Sequence, residues 1–326
     1  MIPKLSLVIP SSHGHDQLER LFCEIFSQRT LPHEIIVVDS SISSGRCPIL
    51  IKDLCNEHGI DLIYVARAKC LPGAARNFGL ERATGEWIAF LDIRTHPVGD
   101  WLGMQLAFIS KNCLAGSWGM SIFEAESEFS ALVRDGIYGQ DPIRHLPGSV
   151  LHRDLIRRIG YFIPTIRAGE DGDWIERAVL LGEAITTPPF VTTRYLGLLN
   201  ASGRDLVLKW FSYYGSTRTM PFHLPQKFFL AWAGYSMLIL FAFNWNRFFA
   251  SWDIGSPFYI SNVTKLSALL PLVAYFAYRG LYLPLRRGVF LSNLLPFRFL
   301  RIGIFCLVLD LVKSYALLVP RFRNGS

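Results

Sequence analysis

Apolar and polar positions in the N-terminal third of the chain alternate between two kinds of pattern. Leu5-Ser6-Leu7-Val8-Ile9-Pro10 is a short, nearly continuous apolar run closed by proline, the pattern of a buried first strand. From Asp16 to Gln28 the apolar residues Leu18, Leu21, Phe22 and Ile25 recur at helical spacing. Glu34–Asp39 (E-I-I-V-V-D) reads as a second buried strand, Pro48–Glu57 as a helix and Asp61–Val65 as a third strand. Gly73–Ala83 reads as a helix, and Glu86–Leu91 as a fourth strand ending at Asp92. Short apolar strands alternating with helices predict an α/β fold: a mostly parallel sheet covered by helices on both faces. In such sheets ligands bind beyond the carboxyl ends of the strands, which is where Asp39 and Asp92 stand.

The pattern changes beyond residue 220. Three apolar segments follow, Phe228–Phe243, Leu266–Leu283 and Ile302–Val319. A membrane-crossing helix needs about 20 apolar residues. The first two segments approach that length. The third carries Asp310 and Lys313 on one face, which predicts an interfacial or re-entrant helix with those charges toward protein or water. The expected organisation is therefore a globular domain over 1–220 and a membrane-embedded helical region over 221–326. Arg286, Arg287, Arg298 and Arg301, with no acid among them, would mark a cytoplasmic loop. The expected location is the cell (inner) membrane, multi-pass, with the globular domain cytoplasmic.

Composition sharpens this reading. Charged residues make up 18% of the 326 and hydrophobic ones 51%, against about 25% charged in an ordinary soluble domain. The net charge of +7 raises nucleic-acid binding. No such motif is present, and the C-terminal arginines sit beside apolar stretches, which suits membrane lipids better. Six cysteines are scattered without C-x-x-C spacing, so neither a zinc site nor a disulfide framework is expected, and reduced thiols fit best. Leu5–Pro10 is too short for a signal peptide and polar residues follow at once.

Four motifs in order resemble family 2 glycosyltransferases, which share the GT-A fold, a Rossmann-like nucleotide-diphospho-sugar transferase fold. They are the opening strand L-S-L-V-I-P; V-V-D-S-S-I-S-S-G (Val37 to Gly45); P-G-A-A-R-N-F-G-L-E-R-A-T-G-E-W-I-A-F-L-D (Pro72 to Asp92); and G-E-D-G-D-W (Gly169 to Trp174). The third is the most specific, and the resemblance covers roughly residues 4–215.

The resemblance assigns donor binding to Pro10, Asp39, Arg76, Asn77, Asp92 and Arg94. A carboxylate at a strand end accepts hydrogen bonds from ribose or base. A guanidinium early in a helix pairs with phosphate. The family's D-x-D motif holds Mn²⁺ or Mg²⁺, which neutralises the departing diphosphate. Here it reads Asp92-Ile93-Arg94, so Asp92 remains as a metal ligand and a cation stands where the second carboxylate is expected. His96 is a nearby candidate ligand. Glu170 and Asp171 match the catalytic acidic pair, with Asp171 as general base. His152, Asp173 and Trp174 fall on the acceptor side. Lys209–Gly215, basic and aromatic, resembles a juxtamembrane segment.

These assignments imply an inverting transferase moving a sugar from a UDP- or GDP-sugar to a lipid-linked or glycan acceptor. Asp-Ile-Arg keeps a second reading open, a non-catalytic nucleotide-sugar-binding or scaffolding subunit of a membrane glycan assembly.

Overall fold

The computed structural model describes residues 4–12, 15–41, 46–198, 202–217, 234 and 236–318. Its N-terminal half alternates as the sequence pattern predicts. Strand β1 (Leu5–Ser11) leads through helix α1 (His15–Phe26) to β2 (Glu34–Asp39), and α2 (Ile49–Glu57) leads to β3 (Asp61–Ala66). Helix α3 (Pro72–Arg82) follows, then β4 (Trp87–Phe90). Beyond it come β5 (Thr95–Pro97), α4 (Trp101–Lys111), β6 (Gly116–Phe123), α5 (Glu128–Val133), β7 (Ile143–His152) and α6 (Arg153–Ile159). Helix α7 (Glu170–Leu180), β8 (Ile185–Thr186), β9 (Thr193–Tyr195) and α8 (Gly203–Thr217) complete the series.

All the strands join one sheet, ordered β3-β2-β1-β4-β7-β6-β9-β5, with β8 paired to β6. The β3-β2-β1-β4 half is parallel. Strand β7 runs antiparallel to both β4 and β6, so the sheet is mixed where a mostly parallel one was expected.

Alternation along β1 explains why its run is apolar throughout. Leu5, Leu7 and Ile9 face a core shared with α1, α2 and α4. Val8 faces the opposite core, shared with Ile36, Val38 and residues of α3, α6 and α7. A strand covered on both faces has no side left for polar residues. Ser6 is buried, and its hydroxyl is taken up by the buried Glu34 at 2.5 Å. Helix α3 lies so close to the sheet that a Cβ at Gly79 would collide with the Val8 side chain.

The C-terminal region departs from expectation. Among the described residues no helix is long and apolar enough to cross a membrane. This overturns the expected multi-pass membrane location and the transmembrane helices. Helix Val263–Phe276 has 14 residues and is interrupted by Pro271. A π-helical turn, Ala277–Tyr282, then brings Arg279 to Asp310. Helix Arg298–Leu318 has 21 residues but carries Arg298, Arg301, Asp310 and Lys313. It packs against α8 and against Arg134–Tyr138, a π-helical continuation of α5. Asp310 accepts hydrogen bonds from Tyr275 at 2.8 Å, Arg279 at 2.9 Å and Lys313 at 2.8 Å. Its polar face is thus turned onto protein. Arg298 pairs with buried Asp135 at 2.7 Å, and Arg301 pairs with Glu128. Residues 228–233 and 235 of the first apolar segment, and Val319 of the third, lie outside the described residues.

Candidate active site

The carboxyl ends of β1, β2 and β4 lie along one edge of the sheet, because these strands are parallel and adjacent. Asp39 closes β2 there. Its carboxylate accepts the Tyr64 hydroxyl at 2.6 Å and the Ser41 backbone N–H at 2.9 Å. Burial raises the Tyr64 phenol, and the bond to Asp39 and its charge raise it further. Pro10 lies beside it, in register with Val38. Residues 42–45 of the second motif fall outside the described residues.

Asp92 stands just past β4 on the same edge. Buried Arg76, early in α3, binds Asp92 at 2.9 Å through Nη2 and Glu170 at 2.6 Å through Nη1. One guanidinium therefore ties the end of β4 to the start of α7. Burial alone would lower the Arg76 pKa; Asp92, Glu170 and Asp171 outweigh it and keep the group charged. Gly169, at φ 87°, takes the left-handed turn that starts α7 and puts the acidic pair at its first turn.

The two acids differ in exposure and engagement. Glu170 is buried and bound to Arg76, with Oε2 left without a partner. Burial raises its pKa, with Arg76 opposing and Asp171 adding to the rise. Asp171 keeps 28% of its side chain exposed; Oδ1 accepts the Gly172 N–H at 2.8 Å, and Oδ2 lies 3.9 Å from Nε2 of His145. Only Asp171 is open to an incoming hydroxyl.

Five other residues named from the sequence have their side chains engaged elsewhere in the fold. Asn77 spends its carboxamide on Phe162, donating to the carbonyl at 2.9 Å and accepting the N–H at 2.9 Å, so it pins residues 160–163 to α3. Trp174 is fully buried, stacked on Phe162 and hydrogen-bonded to the Gly160 carbonyl at 2.8 Å, and belongs to the core. Asp173 is buried against Arg177 at 2.9 Å. His152 pairs in register with Trp87 at the start of β4, the opposite end of the sheet from Asp92. His96 is buried beside Glu24, 2.9 Å from its carboxylate, and burial lowers its pKa.

His145, Phe123, Tyr138, Tyr195 and Tyr213 were not singled out as site residues by the sequence. Phe123 stacks on Tyr138 at 3.9 Å and lies 4.8 Å from Tyr195, forming an aromatic wall near His145. Burial raises the Tyr213 phenol, and the charges of Asp171 and Glu170 add to the rise. The signal lay in the aromatic stretch 209–215, read there as a membrane border.

The residues do not make up a metal-binding set. Among the described residues no three His, Cys, Asp or Glu side chains are grouped to hold an ion. Both Asp92 oxygens face Arg76, at 2.9 and 3.2 Å. Arg94 is half-buried, and its carbonyl accepts the Leu196 N–H at 2.9 Å.

Comparison with known proteins agrees with the fold. Residues 6–160 match the family described as glycosyl transferase family 2. The pre-mycofactocin glycosyltransferase of Mycobacterium tuberculosis is 27% identical over 239 residues, covering 68% of this chain and 48% of that protein. A Bacillus subtilis protein named as the teichuronic acid biosynthesis glycosyltransferase TuaG is 28% identical over 155 residues, covering 48% of this chain and 58% of that one. The chain thus spans about half the length of the curated relatives it matches. The solved mannosyltransferase PcManGT from Pyrobaculum calidifontis, in complex with GDP-Man and Mn²⁺, superposes with a TM-score of 0.56 at 17% identity, covering 97% of this chain and 87% of that one. Residues 6–160 are thus similar to family 2 glycosyltransferases, and the chain has a GT-A-like α/β fold.

Proposed function

We propose that this chain is an inverting glycosyltransferase that moves a sugar from a nucleoside-diphosphate donor to a lipid-linked acceptor presented at a membrane face. The observation that carries the reading is the buried Arg76 bridge between Asp92 and Glu170, with the more exposed Asp171 beside it. It joins two motifs, 94 residues apart in sequence at Arg76 and Glu170, at the edge where this fold class binds ligands.

In the proposed step Asp171 takes the proton of the acceptor hydroxyl. The oxygen attacks the anomeric carbon, the bond from that carbon to the diphosphate oxygen breaks, and the nucleoside diphosphate leaves. Asp171 is suited to the role by its access, and Glu170, locked on Arg76, positions the start of α7. Asp39 and Pro10 take the nucleoside end of the donor. PcManGT was solved with GDP-Man and Mn²⁺. Here the donor set at Asp92 does not fit an ion, and Arg94 offsets diphosphate charge in its place. Aromatic and apolar side chains left exposed in the C-terminal region, among them Ile254 at 79%, Phe290 at 70% and Phe297 at 70%, support an acceptor with an apolar anchor.

Arg94 also favours a second reading, a subunit that binds nucleotide sugars without transferring them. Nucleotide release from a panel of UDP- and GDP-sugars, with a lipid extract as acceptor and with or without Mn²⁺, separates the two. Asp171→Asn is expected to bind nucleotide normally and to lose roughly 100-fold or more in turnover. Near-normal turnover in that variant removes Asp171 from the mechanism, and no release with any donor leaves the binding-subunit reading.

A further inference from the structure

We infer that His145 is a positioning residue for the Asp171 carboxylate, with its tautomer set by a hydroxyl pair behind it. The inference rests on Asp171 being the base of the proposed transfer. His145 lies on β7 opposite Gly119 of β6, where the register shifts between Ser117 and Gly119. Such irregularities re-aim side chains out of the regular alternation. Its Nδ1 lies 3.2 Å from Ser121 Oγ, which lies 2.7 Å from Thr193 Oγ1. Its Nε2 lies 3.9 Å from Asp171 Oδ2.

The direction of this chain follows from charge. If Thr193 donates to Ser121 and Ser121 donates to Nδ1, the ring proton sits on Nε2 and points at the carboxylate. The reverse order places the Nε2 lone pair against the same negative oxygen. The first arrangement is favoured, because the bond at one ring nitrogen fixes the state of the other. Burial holds the ring below its usual pKa, Asp171 and Asp92 opposing and Arg76 assisting. A neutral N–H donor orients Asp171 without stripping its basicity as an imidazolium would. The 3.9 Å separation is longer than a hydrogen bond, and such contacts tighten when an acceptor fills the site. Asp171 Oδ1 already has the Gly172 N–H, so His145 governs the second oxygen.

The test is steady-state kinetics on the full chain, with the UDP- and GDP-sugar panel and lipid extract. His145→Ala is expected to lower kcat by roughly 10- to 100-fold, the scale for removing an orienting partner, with KM for donor and acceptor unchanged. His145→Gln, which keeps an N–H donor, is expected to recover most of the loss. In an Asp171→Asn background, His145→Ala should cause no further loss. Should His145→Ala not fold, as judged by UDP and GDP binding, Ser121→Ala carries the test, since it removes the hydroxyl partner and leaves the ring. An unchanged kcat, a loss confined to acceptor KM, or no recovery in His145→Gln overturns the inference. If Asp171→Asn itself keeps turnover, the base assignment falls; if it is inactive while His145→Ala is normal, only the role of His145 falls.

Discussion

At the scale of single residues, the site is held together by buried charges whose partners are shared. Glu34 shows the same device outside the site. Burial alone would raise its pKa, but bonds from Ser6, Thr84 and Gly85 outweigh it and hold the carboxyl below its usual value of 4.5. Its contribution to stability is present above that value and is lost as pH falls through the lower, folded value. Glu34→Gln is therefore expected to unfold more readily at neutral pH and to show a flatter acid limb in denaturant titrations; an unchanged acid limb would count against the assignment. Arg94 gives a second residue-scale expectation. Calorimetry should show UDP or GDP binding that survives EDTA and weakens roughly 10- to 100-fold in Arg94→Ala, matching about 1.5–3 kcal/mol for a charge-assisted bond. Binding abolished by EDTA and restored by Mn²⁺ would mean that other ligands hold an ion. Asp39, Arg76, Asp92, Glu170 and Asp171 each sit in a sequence motif at an element end, and the fold brings Arg76, Asp92 and Glu170 into contact. Asn77 and Trp174 turn away from that cluster, because neighbours in a motif point different ways on a helix. His145 was invisible because a lone histidine in a strand carries no local signal, and its partners Ser121, Asp171 and Thr193 come from distant elements.

Whole elements were legible where both faces are buried. The strands β1, β2 and β4 announce themselves as apolar runs because both of their faces are buried. The strands β5, β8 and β9 have two or three residues each, too few to show a period; β8 and β9 pair with the longer β6, and β5 pairs with β9. Helix α7 illustrates an element serving two cores at once. Its first turn presents Asp171 to the site, and Trp174, one turn on, fills the space between Phe162 and Trp118. Trp174→Ala is expected to cost about 3–5 kcal/mol of stability by leaving a cavity. Under conditions where the variant is folded, acceptor KM should be near normal, measured with the same lipid extract. A large rise in acceptor KM with little loss of stability would return Trp174 to the acceptor site.

At the scale of the whole molecule, apolarity alone misled. A buried helix and a membrane-crossing one share composition, and what separates them here is where their charges go. Asp310, Arg279 and Lys313 point into a contact between the last helix, the π-helical turn and α8. Lys313 also lies over the rings of Trp210 at 5.0 Å and Tyr214 at 5.3 Å. That contact holds α8, whose Tyr213 feels the charges of Asp171 and Glu170. Asp310→Ala removes the shared acceptor and leaves Arg279 and Lys313 facing each other, each side chain under 15% exposed, at 13% and 12%. Breaking such a pair costs about 3–5 kcal/mol when fully buried, and the partial exposure of Asp310 puts the expected loss near the lower figure. Denaturant unfolding should show that loss, and turnover should fall while UDP or GDP binding, proposed at the carboxyl ends of β1 and β2, stays intact. If turnover is unchanged in a destabilised but folded Asp310→Ala chain, α8 is not held by this contact in the active enzyme, and the C-terminal helices serve the fold without reaching the site.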